Sequence, residues 1–154
     1  MNRITYIILI FLFYSNILVA DILKSIIVKG NNRINVETIK VFSNLEIGDE
    51  INSINLNNVL KELYKTNFFK DVSIDVDNSN ITISVIENPI IQEVIINGVK
   101  KKSLNESLYD LLELKNKNSY TDYLVRKDLQ KLKNVLRLSG YYLSEVKVLV
   151  ENND

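Results

Sequence analysis

An α+β chain made of two copies of a β-α-α-β-β unit is what this sequence predicts, and three observations predict it. The first is self-similarity. "SIIVKG" at residues 25–30 returns as "EVIING" at residues 93–98, and "TNFFKDVSIDV" at residues 66–76 returns as "SGYYLSEVKVLV" at residues 139–150. The second is a change of apolar period, from two in the short runs to about 3.6 in the longer ones. The third is Pro89, the only proline, which stands between the copies in "ENP" and holds Asn88 extended. Each unit therefore reads as a small sheet with two helices over one face. The expected divisions are residues 1–20, 21–88 and 89–154, with Asn88 and Pro89 as the junction.

The first unit opens with "LKSIIVKG", a β-branched run closed by Gly30, hence a strand and a turn. "INVETIKVFSNL" then sets Val36, Ile39 and Phe42 at helical spacing behind Asn35, an expected N-cap. After the break "EIGDEI" comes "NLNNVLKELYKTN", in which Leu56, Val59, Leu60, Leu63 and Tyr64 form one apolar stripe, with Asn55 as the expected cap. "DVSIDV" alternates, with Val72, Ile74 and Val76 facing one way and Ser73 and Asp75 the other. "DNSN" turns the chain, and "ITISVIE" alternates again through Ile81, Ile83 and Val85. That is a hairpin with one buried face.

The second unit repeats the plan. "QEVIING" reads as a strand, and a helix carrying Leu104, Leu108, Leu111 and Leu112 follows. A longer helix begins at about Thr121, carries Val125, Leu129, Leu132 and Leu136, and ends at Gly140. Val146, Val148 and Val150 then alternate as a strand. No counterpart of "ITISVIE" follows. The expectation is a piece of a longer protein whose second unit is marginal by itself.

The first twenty residues, "MNRITYIILIFLFYSNILVA", carry one basic residue, an apolar core and a small-residue end. This is the layout of a secretory signal, with cleavage expected between Ala20 and Asp21. Tyr14, Ser15 and Asn16 interrupt the run before it reaches the length of a spanning helix. An uncleaved anchor is the alternative, because Leu18 is bulky for a cleavage site.

Composition narrows the chemistry. Without Cys or His the chain can build no disulfide, thiolate nucleophile, Ser-His-Asp triad or ordinary zinc site. No catalytic, cofactor-binding or metal-binding residues are assigned, and no enzyme activity is expected. Nineteen basic residues balance nineteen acidic ones, so no net field draws nucleic acid or an anionic membrane. Asp75, Asp77 and Ser79 mimic the start of a calcium loop, but Asn80 and Ile86 stand where glycine and an acid are needed. Lys100, Lys101 and Lys102 read as a solvated turn.

The order of these features, with "VKGNNRI", "LYKTNFFKDVSIDV" and "ITISVIENPIIQEVIINGVKKKS", resembles the start of BamA-type outer-membrane assembly factors of the Omp85 superfamily. Their periplasmic part is a string of POTRA (polypeptide-transport-associated) domains before a membrane β-barrel. The resemblance implies tandem POTRA units, each a three-stranded sheet with its third strand central and its second at an edge. It also implies a periplasmic location, tethered to the outer membrane only through a barrel outside this chain. The implied partners are unfolded β-barrel precursors and, through further POTRA domains, other assembly subunits. An unpaired strand edge binds an extended segment through backbone groups without reading its sequence. The residues this points to are Val72, Ser73, Ile74, Asp75 and Val76. Two-partner secretion or autotransporter-assembly transporters, and a cell-division POTRA protein with an uncleaved anchor, are the alternative readings.

Overall fold

The computed structural model describes residues 21–152. The expected export segment, with its cleavage position at Ala20, lies outside them. The first unit runs β1 (Ser25–Lys29), α1 (Val36–Ser43), α2 (Ser53–Lys65), β2 (Phe69–Asp77) and β3 (Asn80–Glu87). The strands form one sheet in the order β1-β3-β2, with β1 parallel and β2 antiparallel to the central β3. Alternation then decides what is buried. Ile81, Ile83 and Val85 of β3 meet Ile39 of α1 and Val59 and Leu63 of α2 in a core completed by Leu23, Ile34, Phe69 and Val72. Among the described residues no helix covers the other face of the sheet, which presents Thr82, Ser84, Ser73 and Asp75.

Local chemistry sets the element ends. The Asn35 side chain accepts the Thr38 N–H at 2.7 Å and starts α1. Helix α2 starts earlier than its stripe suggested. Asn52 is its cap, accepting the Asn55 N–H at 2.9 Å, and Asn55 sits inside the first turn with its amide on the Glu50 carbonyl. Either asparagine has the right chemistry, and Ile54 is exposed and lies off the stripe, so the stripe does not mark the extra turn. Asn78 and Ser79 both take positive φ, at 47° and 68°, between the paired residues Asp77 and Asn80. That two-residue turn matches the twist of the hairpin it closes.

The second unit contains α3 (Lys102–Leu111) and α4 (Asp122–Leu138). Thr121 caps α4 by accepting the Leu124 N–H at 3.1 Å. Its far end closes on Gly140, at φ 91°, with Gly140 N–H on Arg137 and Tyr141 N–H on Leu136. The expected strands do not form. Residues 92–97 and 144–150 belong to no helix or strand, and Val146, Val148 and Val150 pair with nothing among the described residues. The reason is visible in the first unit, where β3 separates β1 from β2 and pairs with both. No described residue takes that place in the second. A strand without a neighbour cannot satisfy its own backbone, so the stripe of α4 has no sheet to cover and Leu129, Leu132 and Leu136 stay half-exposed.

The repeat is nevertheless visible in one detail. An isolated antiparallel bridge joins Ile22 to Glu50, and another joins Ile90 to Ser119 at the corresponding place. In each unit the chain at the start of the repeat is held by the loop before the second helix. Among the described residues no helix is long and apolar enough to cross a membrane.

Candidate functional site

Strand β2 is an edge of the sheet, and Val72, Ser73, Ile74, Asp75 and Val76 all lie on it. Val72 is buried against the core, Ile74 is half-buried and Val76 is 42% exposed, so burial fades toward the hairpin tip. The pairing register runs from Val72 opposite Val85 to Asp77 opposite Asn80. The Val72 N–H does not face β3: it donates to the Tyr64 hydroxyl at 3.0 Å. Backbone groups of an antiparallel strand alternate in direction, so Val72, Ile74 and Val76 point outward while Ser73, Asp75 and Asp77 point to β3. Among the described residues nothing meets the outward groups of Ile74 and Val76. Asp71, Asp75 and Asp77 charge the solvent face of this edge, which discourages indiscriminate pairing between copies.

The sheet has a second edge that the sequence did not single out. The Lys24 N–H donates to Ser79 at 2.8 Å, so Ile26 and Val28 follow it toward β3 while Ser25, Ile27 and Lys29 point away. Residues 48–51 cover only the start of this edge, through Leu23 N–H on Asp49 and Gly48 N–H on Leu23. A strand's pattern of side chains does not say which strand lies beside it, and the order implied by the resemblance leaves β1 as an edge as well as β2.

Two of the motifs that carried the resemblance, "VKGNNRI" and the "ITISVIENP" run, meet in one clamp. A single oxygen of Glu87 accepts the N–H groups of Asn32, Arg33 and Ile34 at 2.9, 3.0 and 2.9 Å. The Arg33 Nε stands 3.6 Å from the other oxygen. Burial pushes the Glu87 carboxyl up, but the three N–H donors and the Arg33 charge outweigh it and hold the group below its ordinary range. Gly30 is required beside this clamp. A Cβ there would lie 2.2 Å from the Val85 carbonyl oxygen, and the residue has φ 80°. The turn after β1 is thereby pinned to the end of β3.

Asn88 and Pro89, the expected junction, are anchored on both sides. Buried Asn88 donates its N–H to Phe68 at 2.8 Å and its side-chain amide to Asn67 at 2.9 Å. The Pro89 carbonyl accepts the Tyr120 N–H at 2.8 Å. Arg33 lies over the Phe68 ring, 5.7 Å from its centroid, and reaches Ser119 at 3.3 Å. Asp21 is also tied in, through its carbonyl to Ile51 N–H and its carboxylate to the Ser79 hydroxyl.

One buried carboxylate was not legible in the sequence. Asp128 of α4 is 2% exposed and accepts the N–H groups of Glu113 and Leu114 at 2.8 Å each. It caps the turn that leaves α3, next to the stripe that periodicity assigned to apolar residues alone. Among the described residues no group of three acids gathers as a metal site.

Residues 89–154 match the POTRA family model described as "Surface antigen variable number repeat". The outer membrane protein assembly factor BamA of Neorickettsia risticii is 28% identical over 131 residues, covering 75% of this chain and 18% of that protein. The factor of the same name from Nitratidesulfovibrio vulgaris is 26% identical over 128 residues, covering 80% of this chain and 16% of that protein. The chain thus spans less than a fifth of the length of these relatives. In structure it resembles the N-terminal domain of Omp85 from Thermosynechococcus elongatus, with TM-score 0.54, 16% identity and coverage of 79% and 53%. It also resembles POTRA1-2 of the periplasmic domain of Omp85 from Anabaena, with TM-score 0.53, 14% identity and coverage of 83% and 85%.

Proposed function

We infer the function from one premise: the chain is a POTRA-bearing relative of the BamA-type outer-membrane assembly factors. We propose that it forms part of the exported, periplasmic region of such a factor and binds extended segments of unfolded β-barrel precursors by strand addition to β2. No chemical step is involved. Other assembly subunits bind the same machine through POTRA units beyond those described.

One observation carries this reading. The outward N–H and C=O groups of Ile74 and Val76 lie unpaired on a regular strand whose side chains become exposed toward its tip. Such a row templates a new strand through main-chain hydrogen bonds, and tolerance of many sequences follows because side chains contribute little. The acidic residues along β2 keep the edge from pairing with copies of itself, while a single incoming segment avoids that repulsion.

Titration of the isotope-labelled chain with a peptide copying one strand of a membrane β-barrel tests the proposal. The amides of Ile74 and Val76 are expected to shift downfield and to gain protection from exchange. Shifts confined to β1, or absent from the sheet altogether, would refute it.

A further inference from the structure

The edge of β2 is not uniformly open, and the side chain that closes part of it comes from α2. Tyr64 lies in the last turn of that helix, where the apolar stripe placed it among core residues, yet it is 43% exposed. Its ring leans over the start of β2. The hydroxyl donates to Asp71 Oδ1 at 3.2 Å and accepts the Val72 N–H at 3.0 Å. The two bonds divide the work of one group. Asp71 takes the phenolic proton, which turns an oxygen lone pair toward Val72. The Tyr64 oxygen therefore stands where the carbonyl of a neighbouring strand would stand.

We propose that Tyr64 is a register stop on the binding edge. The inference rests on strand addition to β2 and specifies where the added strand lies. An incoming segment can exchange both main-chain hydrogen bonds with Ile74 and with Val76, but not with Val72, whose N–H is already engaged. It is seated toward the hairpin tip, and its overhang at the α2 end leaves the sheet. The occupant is an extended segment with a short paired stretch, one that need not match the full length of β2. In the repeat, Thr66 aligns with Ser139, which sets Arg137 opposite Tyr64. A guanidinium has donors only and cannot cap a strand N–H, so the stop belongs to the first unit.

The test compares the whole chain with its Tyr64→Phe variant, using a nine-residue peptide of alternating Val and Thr with Lys at each end. In the unaltered chain the peptide moves the Ile74 and Val76 amides and leaves Val72 in place. In Tyr64→Phe the Val72 amide joins the footprint, and the peptide binds about three- to tenfold tighter, the value of one additional main-chain hydrogen bond. Tyr64→Leu, which also lacks the hydroxyl, extends the footprint in the same way. Unchanged exchange protection at Ile83 shows that the sheet itself is intact. Equal footprints and equal affinity in all three proteins overturn the stop and leave strand addition standing. A peptide that moves neither Ile74 nor Val76 in any of them overturns both.

Discussion

Glu87 gathers three backbone N–H groups and a guanidinium onto one carboxylate, and its side chain is only 9% exposed. Because its folded pKa lies below the ordinary value of 4.5, the charged carboxylate favours the folded state. That contribution is fully present above the ordinary value and is lost as the pH falls through the lower folded value. Glu87→Gln is expected to cost about 2 kcal/mol near neutral pH, on the scale of a charge-assisted hydrogen bond. The gap between the two proteins closes in acid. Urea midpoints followed by the β3 amides from neutral pH down to about pH 3 check this, and a gap independent of pH would rule out the carboxylate as its source. The sequence announced this residue as part of "ENP", but its task was hidden, because the donors it serves lie more than fifty residues earlier. Asp128 was hidden for the opposite reason: it is a charged residue inside a helix whose pattern speaks only of its apolar neighbours.

The elements themselves were largely legible. Asn35, Thr121 and Gly140 mark helix ends through their own side-chain or backbone chemistry, and the alternation of β2 and β3 fixes which residues enter the core. Tyr64 was misplaced, because periodicity counts a tyrosine as apolar and cannot see that its hydroxyl meets a strand. The order β1-β3-β2 came through resemblance rather than from the residues. At this scale the edge makes a sharp contrast between adjacent positions. Proline is tolerated in a strand only where its missing N–H faces away from the sheet. Val76→Pro should keep unit one folded and abolish peptide binding at that position. Asp75→Pro, one residue earlier, removes a hydrogen bond to β3 and should destabilise the hairpin by about 1–3 kcal/mol. Circular dichroism melts and peptide titrations on the two variants measure both effects. Exchanged behaviour would mean that the outward and inward positions are assigned the wrong way round, and similar behaviour would remove the distinction between them.

Across the whole molecule, the two units share a plan and differ in completeness among the described residues. Burial of Ile81, Ile83 and Val85 in unit one contributes on the order of 5–9 kcal/mol, comparable with the entire stability of a small domain. Among the described residues, unit two has no strand in that position. Apart from Val94, whose N–H donates to Asn116 Oδ1, and Ser144, whose N–H donates to the Tyr141 carbonyl, the amides in residues 92–97 and 144–150 should exchange within the unprotected range, while those of β3 exchange only on global unfolding. Hydrogen exchange followed by mass spectrometry separates the two regions in one experiment. Equal protection would mean that a ladder forms in unit two in solution.

The central position of β3 also sets an order in time. Ser25 of β1 pairs with Asn80 of β3, and the clamp on residues 32–34 is completed only by Glu87. Read from the N-terminus, β1 and β2 both precede the strand that joins them, and neither has its sheet neighbour until the last segment of the unit is present. The β2–β3 hairpin is local, whereas the β1–β3 pairing spans more than fifty residues and closes slowly by comparison. The sheet is therefore completed only when β3 is in place, with the glutamate at its end as the latch.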